Sequence, residues 1–218
     1  MFQWRCFSRV GAPPKRNYSS TIGLKCHDLA KAAESRFLEL PLHRTGALAN
    51  PKLLATARLC AVQGSPSAMV ALSRWILQKM PVATPEQSAE CRKMLETAYW
   101  GGSGEAAYVI ATEMRRQLYP YFAGDADSSH LWMLKAARLN WEPSYLHCAI
   151  YALGKDNLAE AESWLERAVA DNKSPEPLAV TLLARIRGGS EGQMLLESVA
   201  TSSALAERLL ADGAGKSA

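Results

Sequence analysis

Apolar residues recur at helical spacing along most of the chain from Pro51 onward. In three windows they return every three or four residues, which places them on one face of an α-helix. These windows contain Leu53, Leu54, Ala57 and Ala61; Ala106, Val109, Ile110 and Met114; and Leu158, Ala161, Trp164, Leu165 and Ala168. Alternating runs of β-branched residues are absent from the sequence, so the pattern predicts no strands. The body of the chain is therefore predicted to be all-α.

A short sequence motif recurs in every second predicted helix. Residues 94–98 (Met-Leu-Glu-Thr-Ala) align with residues 132–136, which lie 38 positions later, and with residues 164–168, a further 32 positions on. A weaker copy, residues 195–199, follows after another 31 positions. A helix–turn–helix unit of 31 to 38 residues that repeats in this way predicts an α-solenoid of antiparallel helix pairs.

Turn-forming residues and prolines mark the ends of the predicted helices. Gly or Asn ends one helix and Pro or Ser opens the next, in residues 64–66, 101–104, 140–143 and 172–175. Five prolines fall at predicted helix starts, and three fall in the link between the two helices of a unit: Pro51, Pro66, Pro143, Pro175 and Pro177 at the starts, and Pro81, Pro85 and Pro120 in the links. Because a proline inside a helix costs about 3 kcal/mol, this placement supports the assignment.

Residues 50–212 are predicted to form the repeat domain, with about four helix pairs and a terminal helix. Residues 19–49 form an N-terminal extension with a short helix near residues 29–40, and residues 213–218 form a disordered tail.

Two segments carry a recognisable family pattern. Residues 153–168 read Leu-Gly-Lys-Asp-Asn-Leu-Ala-Glu-Ala-Glu-Ser-Trp-Leu-Glu-Arg-Ala, and residues 132–137 read Trp-Met-Leu-Lys-Ala-Ala. They resemble the Sel-one-like repeats, relatives of the tetratricopeptide repeats, whose helix pairs carry Leu-Gly followed by Ala-x-x-Trp-x-x-Lys-Ala-Ala. The resemblance covers roughly residues 50–200, and it leaves the choice between the two subclasses open. It implies a superhelical scaffold that binds a protein partner.

The positive charge of the chain is concentrated at its N-terminus. The net charge is +4, yet no acidic residue precedes Asp28, and that stretch holds five basic residues. The remainder has 20 basic and 21 acidic residues, so the folded body lacks the positive charge that favours nucleic acids. We therefore expect no nucleic-acid partner.

The first 18 residues have the pattern of a mitochondrial transit peptide. Phe2, Trp4, Cys6, Phe7 and Val10 fall on one arc of a helical wheel, with two arginines opposite. Arg16 lies three positions before a predicted cleavage after residue 18. We expect import into the mitochondrion, to the matrix or the matrix side of the inner membrane; the alternative is a disordered basic tail on a cytosolic protein.

The cysteines and histidines predict neither disulfides nor a metal site. Cys26, Cys60, Cys91 and Cys148 have no short paired spacing, so free buried thiols are expected. None of the four histidines pairs with a second ligand at i, i+4, and a zinc site needs three or four converging ligands.

Two short motifs have structural explanations. The glycine-rich residues 101–104 lack the Lys-Ser/Thr of a phosphate-binding loop, so they predict an inter-repeat turn. Residues 125–129 begin like a calcium loop, but His130 takes the required Gly position, so helix capping by Asp127 or Ser128 is favoured. We predict no catalytic residue, no cofactor and no metal.

Six residues are candidates for binding a partner. Arg115 and Arg116 precede an aromatic link that contains Tyr119 and Tyr121. Arginine and aromatic side chains are common docking groups, whereas the alternative is a solvated helix end that favours positive charge. Trp100 and Trp141 lie at predicted turns, where each either anchors a partner or packs on the neighbouring turn; Trp132 and Trp164, at the repeat position, are expected in the core.

These features predict a non-catalytic mitochondrial adaptor. It would bind a protein partner and aid the assembly or stability of a respiratory-chain or other mitochondrial complex. One alternative is a permanent accessory subunit of such a complex or of the ribosome; another is an enzyme with a site formed across repeats, which no motif supports. We expect no transmembrane segment, and membrane contact only through a partner.

Overall fold

The structure is a computed structural model, and it describes residues 20–41, 47–79, 84–170 and 176–199. Over these residues it has ten α-helices, two short 3-10 turns and no strand. The helices are α1 (Ser20–Leu38), α2 (Pro51–Val62), α3 (Pro66–Lys79), α4 (Pro85–Trp100), α5 (Gly104–Arg116), α6 (Ala126–Arg138), α7 (Pro143–Gly154), α8 (Leu158–Ala170), α9 (Pro177–Arg187) and α10 (Gly189–Val199). The 3-10 turns are Ala47–Ala49 and Pro120–Phe122.

The helices form an α-solenoid of antiparallel pairs, as the sequence predicts. The pairs are α3 with α4, α5 with α6, α7 with α8, and α9 with α10, and α4, α6 and α8 each also pack on the first helix of the next pair. In a solenoid of such pairs the first helices (α3, α5, α7 and α9) form one layer, and the second helices (α4, α6, α8 and α10) form the other. Helix α1 packs against α2 and α3.

Small residues occupy the points where neighbouring helices cross. Cys60, Ala98 and Ala136 at the ends of second helices have no exposed surface, and neither do Ala68 and Ala106, eight positions after the first two. Small side chains at these positions let adjacent helices approach closely. The buried residues form a row of clusters that runs from α1 to α9.

The turns between units share one C-capping geometry. The backbone N–H of Ser65, Ser103 and Trp141 each donates to the carbonyl five residues earlier, on Cys60, Ala98 and Ala136. The residue before each donor has a positive φ, 99° at Gly64, 93° at Gly102 and 56° at Asn140. This is the Schellman arrangement, which needs a left-handed residue and so favours Gly or Asn. The predicted inter-repeat turn at residues 101–104 is confirmed.

Prolines and polar caps begin the helices. Pro51, Pro66, Pro85, Pro143 and Pro177 are each the first residue of a helix, which confirms the predicted starts and moves Pro85 from the link into α4. Pro120 lies in a 3-10 turn. The turn at 172–175, with Pro175, and the link residue Pro81 lie outside the described residues, as do residues 1–18 and 200–218.

Two local predictions differ from the structure. The cap of α6 is Asp125, whose carboxylate accepts from the Ser128 backbone N–H at 2.7 Å, so the predicted capping by Asp127 or Ser128 is wrong. In the N-terminal extension, the helix covers Ser20–Leu38 instead of residues 29–40. Its Ala33 and Phe37 side chains are buried in the first core cluster.

Candidate functional site

The aromatic link between α5 and α6 is divided between core and surface. Tyr119 is 5% exposed, and its hydroxyl donates to the Leu77 carbonyl at 2.6 Å. Phe122 is fully buried beside it, whereas Tyr121 remains 53% exposed. Of the two tyrosines predicted to bind a partner, only Tyr121 is on the surface. Tyr119 instead fastens the link to α3, because burial of its ring and its hydroxyl bond both hold it inward.

Arg115 is exposed and joins two first helices. Its Nη1 lies 2.9 Å from Nδ1 of His147 on α7, and Nε2 of that ring lies 3.3 Å from the Tyr108 hydroxyl. A guanidinium only donates, so Nδ1 must accept and the imidazole is neutral with its proton on Nε2. Burial and the Arg115 charge both lower the pKa of His147. Arg115 is therefore both an exposed cation and a link between repeats.

Arg116 forms its ion pair with a different residue, Glu113 of the same helix. Its Nη1 donates to Oε1 of Glu113 at 2.9 Å, and the Glu113 side chain is 8% exposed. Burial raises the pKa of Glu113, and the Arg116 charge opposes that rise. Arg116 thus compensates a nearly buried carboxylate, so the two neighbouring arginines have separate structural roles.

The two tryptophans predicted at turns differ in exposure. Trp100 is the last residue of α4 and is 80% exposed, with its ring 5.0 Å from that of Tyr99. Trp141 is half-buried and lies 6.5 Å from the Tyr108 ring. The structure therefore brings Trp141 together with Arg115 through Tyr108, and it places Trp100 in a separate group on the second helices.

A polar and apolar surface runs across the first helices. We define the first-helix face by Arg74, Tyr108, Arg115, His147, Ile150 and Leu178. Arg74 of α3 pairs with Glu105 of α5 at 2.5 Å, and the contacts of His147 continue the connection to α7. Ile150 is 44% exposed and Leu178 is 38% exposed. Of these six residues, only Arg115 was predicted from the sequence. Ile150 and Leu178 could have been found as apolar residues on the outer stripe of a predicted helix.

Each repeat tryptophan packs on a tyrosine ring of a neighbouring helix and lies beside a cation. Trp132 lies 5.4 Å from the Tyr99 ring, and Nζ of Lys135 lies 3.6 Å above its indole. Trp164 stacks on Tyr145 with ring centroids 6.0 Å apart. Both tryptophans are partly buried against core clusters, as predicted from the repeat pattern.

A groove lies between α2 and α4, on the second-helix side. Its volume is about 340 Å³. It is mostly apolar, and the residues that line it are Ala61, Met69, Ala89, Glu90, Lys93, Met94 and Thr97.

Three buried cysteines and one hydrogen-bonded tyrosine have raised pKa values, as expected for groups with a structural role. Cys60, Cys91 and Cys148 are free and buried, as predicted, and burial raises the pKa of Cys91 and Cys148 to about 12. Tyr151 donates to Asp127, and this bond raises the pKa of the phenol. Such thiols and phenols stay protonated near neutral pH and are poor nucleophiles or bases.

No group of three or more His, Cys, Asp or Glu residues is placed to hold a metal ion within the described ranges. Over the same part of the chain, no helix has the length and apolar character needed to cross a membrane.

Comparison with known proteins supports the fold. A Sel1 repeat protein from Oxalobacter formigenes has a similar structure, with a TM-score of 0.53 and 13% sequence identity over 85% of this chain and 86% of that chain. No family model matches the sequence. No curated protein matches it either. The helical solenoid expected from the repeat pattern is thus confirmed, and at this identity the likeness concerns the fold alone.

Proposed function

We propose that this chain is a non-catalytic adaptor that holds a polypeptide partner on its first-helix face. The observation that carries the proposal is the continuity of that face, since polar contacts join α3 to α5 and α5 to α7. Solenoids present extended surfaces of this kind, and a chain laid across several repeats gains contacts from each. The Sel1-like repeat likeness of the fold agrees with such a role.

The chemistry of the face suits a partner segment with both apolar and acidic groups. Ile150 and Leu178 offer exposed apolar contacts on α7 and α9. Arg115 is exposed and its guanidinium is oriented by His147, so a carboxylate can bind it with little loss of side-chain entropy. Trp141 and Tyr108 add aromatic surface next to it.

The proposal places the adaptor in the mitochondrion, on the matrix side. Support comes from the first 18 residues, in which apolar residues fall on one arc of a helical wheel with arginines opposite, as in transit peptides, and acidic residues are absent. There the partner would be a subunit of a respiratory-chain or other complex during its assembly. A substoichiometric association on native gels supports an assembly factor, and stoichiometric co-migration supports an accessory subunit.

Capture of partners by tagged chains from isolated mitochondria tests the proposed surface. Ile150→Glu and Leu178→Glu each place a charge on the first-helix face and should reduce recovery of specific subunits by about tenfold or more. Leu131→Glu is the matched control, because Leu131 is 59% exposed on the second helix α6. Equal recovery by all variants, or equal loss in all of them at unchanged melting temperature, would contradict the proposal. Absence of the tagged chain from the matrix fraction would contradict the location.

A further inference from the structure

The groove between α2 and α4 lies where later units hold a tryptophan and a cation. Trp132 and Trp164 are equivalent in the repeat, and the cation three positions after each one lies over its ring, Lys135 at 3.6 Å and Arg167 at 5.1 Å. In α4 the equivalent residues are Met94 and Thr97, and both line the groove. The cavity is thus the space that a repeat tryptophan would fill.

The residues that form the walls of the groove can also be compared with the residues at the same repeat positions in later units. Trp132 packs on Tyr99, and the residue equivalent to Tyr99 on α2 is Ala61, whose methyl group leaves the wall open. Trp164 stacks on Tyr145, and the residue equivalent to Tyr145 on α3 is Met69. In each later unit one of these two positions holds an aromatic ring, whereas beside the groove the same positions hold a small residue and a flexible thioether. Methionine adapts well to an inserted aromatic ring.

A hydrogen-bond acceptor is also in place. The indole N–H of Trp164 donates to Glu160, four residues earlier, at 3.4 Å. The residue four positions before Met94 is Glu90, and it lines the groove. The apolar walls and this carboxylate together suit an indole ring with its N–H.

An exposed indole lies on the same helix. Trp100 is 80% exposed at the end of α4. It follows the groove residues Lys93 and Thr97 by seven and three positions, which places all three on one stripe of the helix. A cavity and a protruding ring on one stripe make a self-complementary patch, which is the requirement for a two-fold interface.

We propose that two copies of this chain pair through α4, with Trp100 of each copy seated in the groove of the other. In an antiparallel α4 pair centred on Thr97, Trp100 and Met94 are equally distant from the two-fold axis, so each Trp100 lies level with the Met94 of the other copy. The carboxylate of Glu90 then accepts the incoming indole N–H. This pairing uses the second helices and does not depend on the proposed adaptor function.

The first test is the mass of the full chain in solution across a dilution series, measured by light scattering and sedimentation. The native chain should reach twice its mass of 23.8 kDa. Trp100→Ala should raise the dimer dissociation constant by about thirtyfold or more, since a seated tryptophan is a typical hot spot. Met94→Trp should do the same by filling the groove, whereas Tyr121→Ala, another exposed aromatic, should change nothing.

The second test locates the two-fold axis of the proposed dimer by cross-linking. In a chain carrying Cys6→Ser and Cys26→Ser, Thr97→Cys should give a covalent dimer with a short bis-maleimide, and Arg138→Cys on α6 should not. Unchanged melting curves show that the variants fold. A chain that stays monomeric at every concentration overturns the proposal, and so does a dimer that keeps its affinity in both Trp100→Ala and Met94→Trp.

Discussion

The carboxylate of Glu34 accepts a hydrogen bond from the hydroxyl of Ser65 at 2.6 Å. Ser65 is fully buried at the start of α3, and the same carboxylate also accepts from the Ser67 backbone N–H at 3.3 Å. Glu34 thereby places a negative charge at the N-terminus of α3, where the helix dipole favours it. Through this contact α1 becomes part of the solenoid.

Replacing Glu34 should therefore release α1. Glu34→Ala removes a charged acceptor and leaves the Ser65 hydroxyl buried without it, which should lower the free energy of unfolding by about 1–3 kcal/mol. Urea denaturation measures this change. Glu39→Ala, an exposed substitution just beyond the same helix, should have almost no effect, and an equal loss in the two variants would argue against the capping role.

Gly104 and Gly154 should respond oppositely to alanine. A Cβ at Gly104 would lie 2.9 Å from Cβ of Trp141 and 3.2 Å from Cβ of Leu139, so Gly104→Ala should destabilise the chain by about 1–3 kcal/mol. A Cβ at Gly154, in the last turn of α7, meets nothing within 4 Å. Gly154→Ala should therefore stabilise the chain by about 0.5–1 kcal/mol. Thermal melts of the two variants give the comparison, and the same sign of change in both would refute it.

Arg167 fastens α8 to the preceding turn and helix. Its Nη2 donates to Asn140 Oδ1 at 3.2 Å and to the Tyr145 hydroxyl at 3.1 Å, and its guanidinium lies 4.5 Å from the Tyr145 ring centroid. Arg167→Lys retains the charge but loses the planar fork, so we expect a loss of about 1–2 kcal/mol in denaturant unfolding. Arg138→Lys, at an exposed position on α6, is the control. A Lys variant at 167 as stable as the native chain would show that charge alone is sufficient.

The His147 contact predicts sensitivity to acid. Because its pKa is lowered in the folded chain, the folded state binds fewer protons than the unfolded state, and stability falls as pH drops below about 6.5. Burial lowers the pKa of His130 as well, so two residues contribute to the slope. His147→Gln keeps an acceptor for Arg115 without titrating, and it should flatten the dependence of melting temperature on pH.

His27→Gln, an exposed substitution of the same kind on α1, is the matched control for this comparison. An equally steep profile for the chain with His147→Gln would contradict the role given to that residue.

Local signals accounted for the helices and their turns. The left-handed conformations at Gly102 and Asn140 were predictable because few residues adopt a positive φ, and the prolines mark helix starts because they lack an N–H. Repeat periodicity predicted the pairing of helices. Each of these features depends on residues that are close together in the chain.

Long-range contacts were not predictable in the same way. The bond from Tyr119 to Leu77 spans 42 residues and turns a predicted surface ring into a core ring. Arg115 meets His147 across 32 residues, and no pattern within either helix indicates that they meet. Asp125, and neither of the predicted residues, caps α6, because the cap position depends on where the folded link between α5 and α6 ends.

The sequence by itself determined the class of this protein: periodic apolar stripes with regular turn residues can bury their faces only by stacking into a solenoid. Tertiary structure alone decided which exposed side chains remain available, because that depends on what the neighbouring unit places opposite them. Met94 illustrates the division. Its place in the repeat is plain from the sequence, but only the packing of α2 and α3 against α4 creates a groove beside it. Substituting a smaller residue leaves space only where the surrounding helices do not close over it.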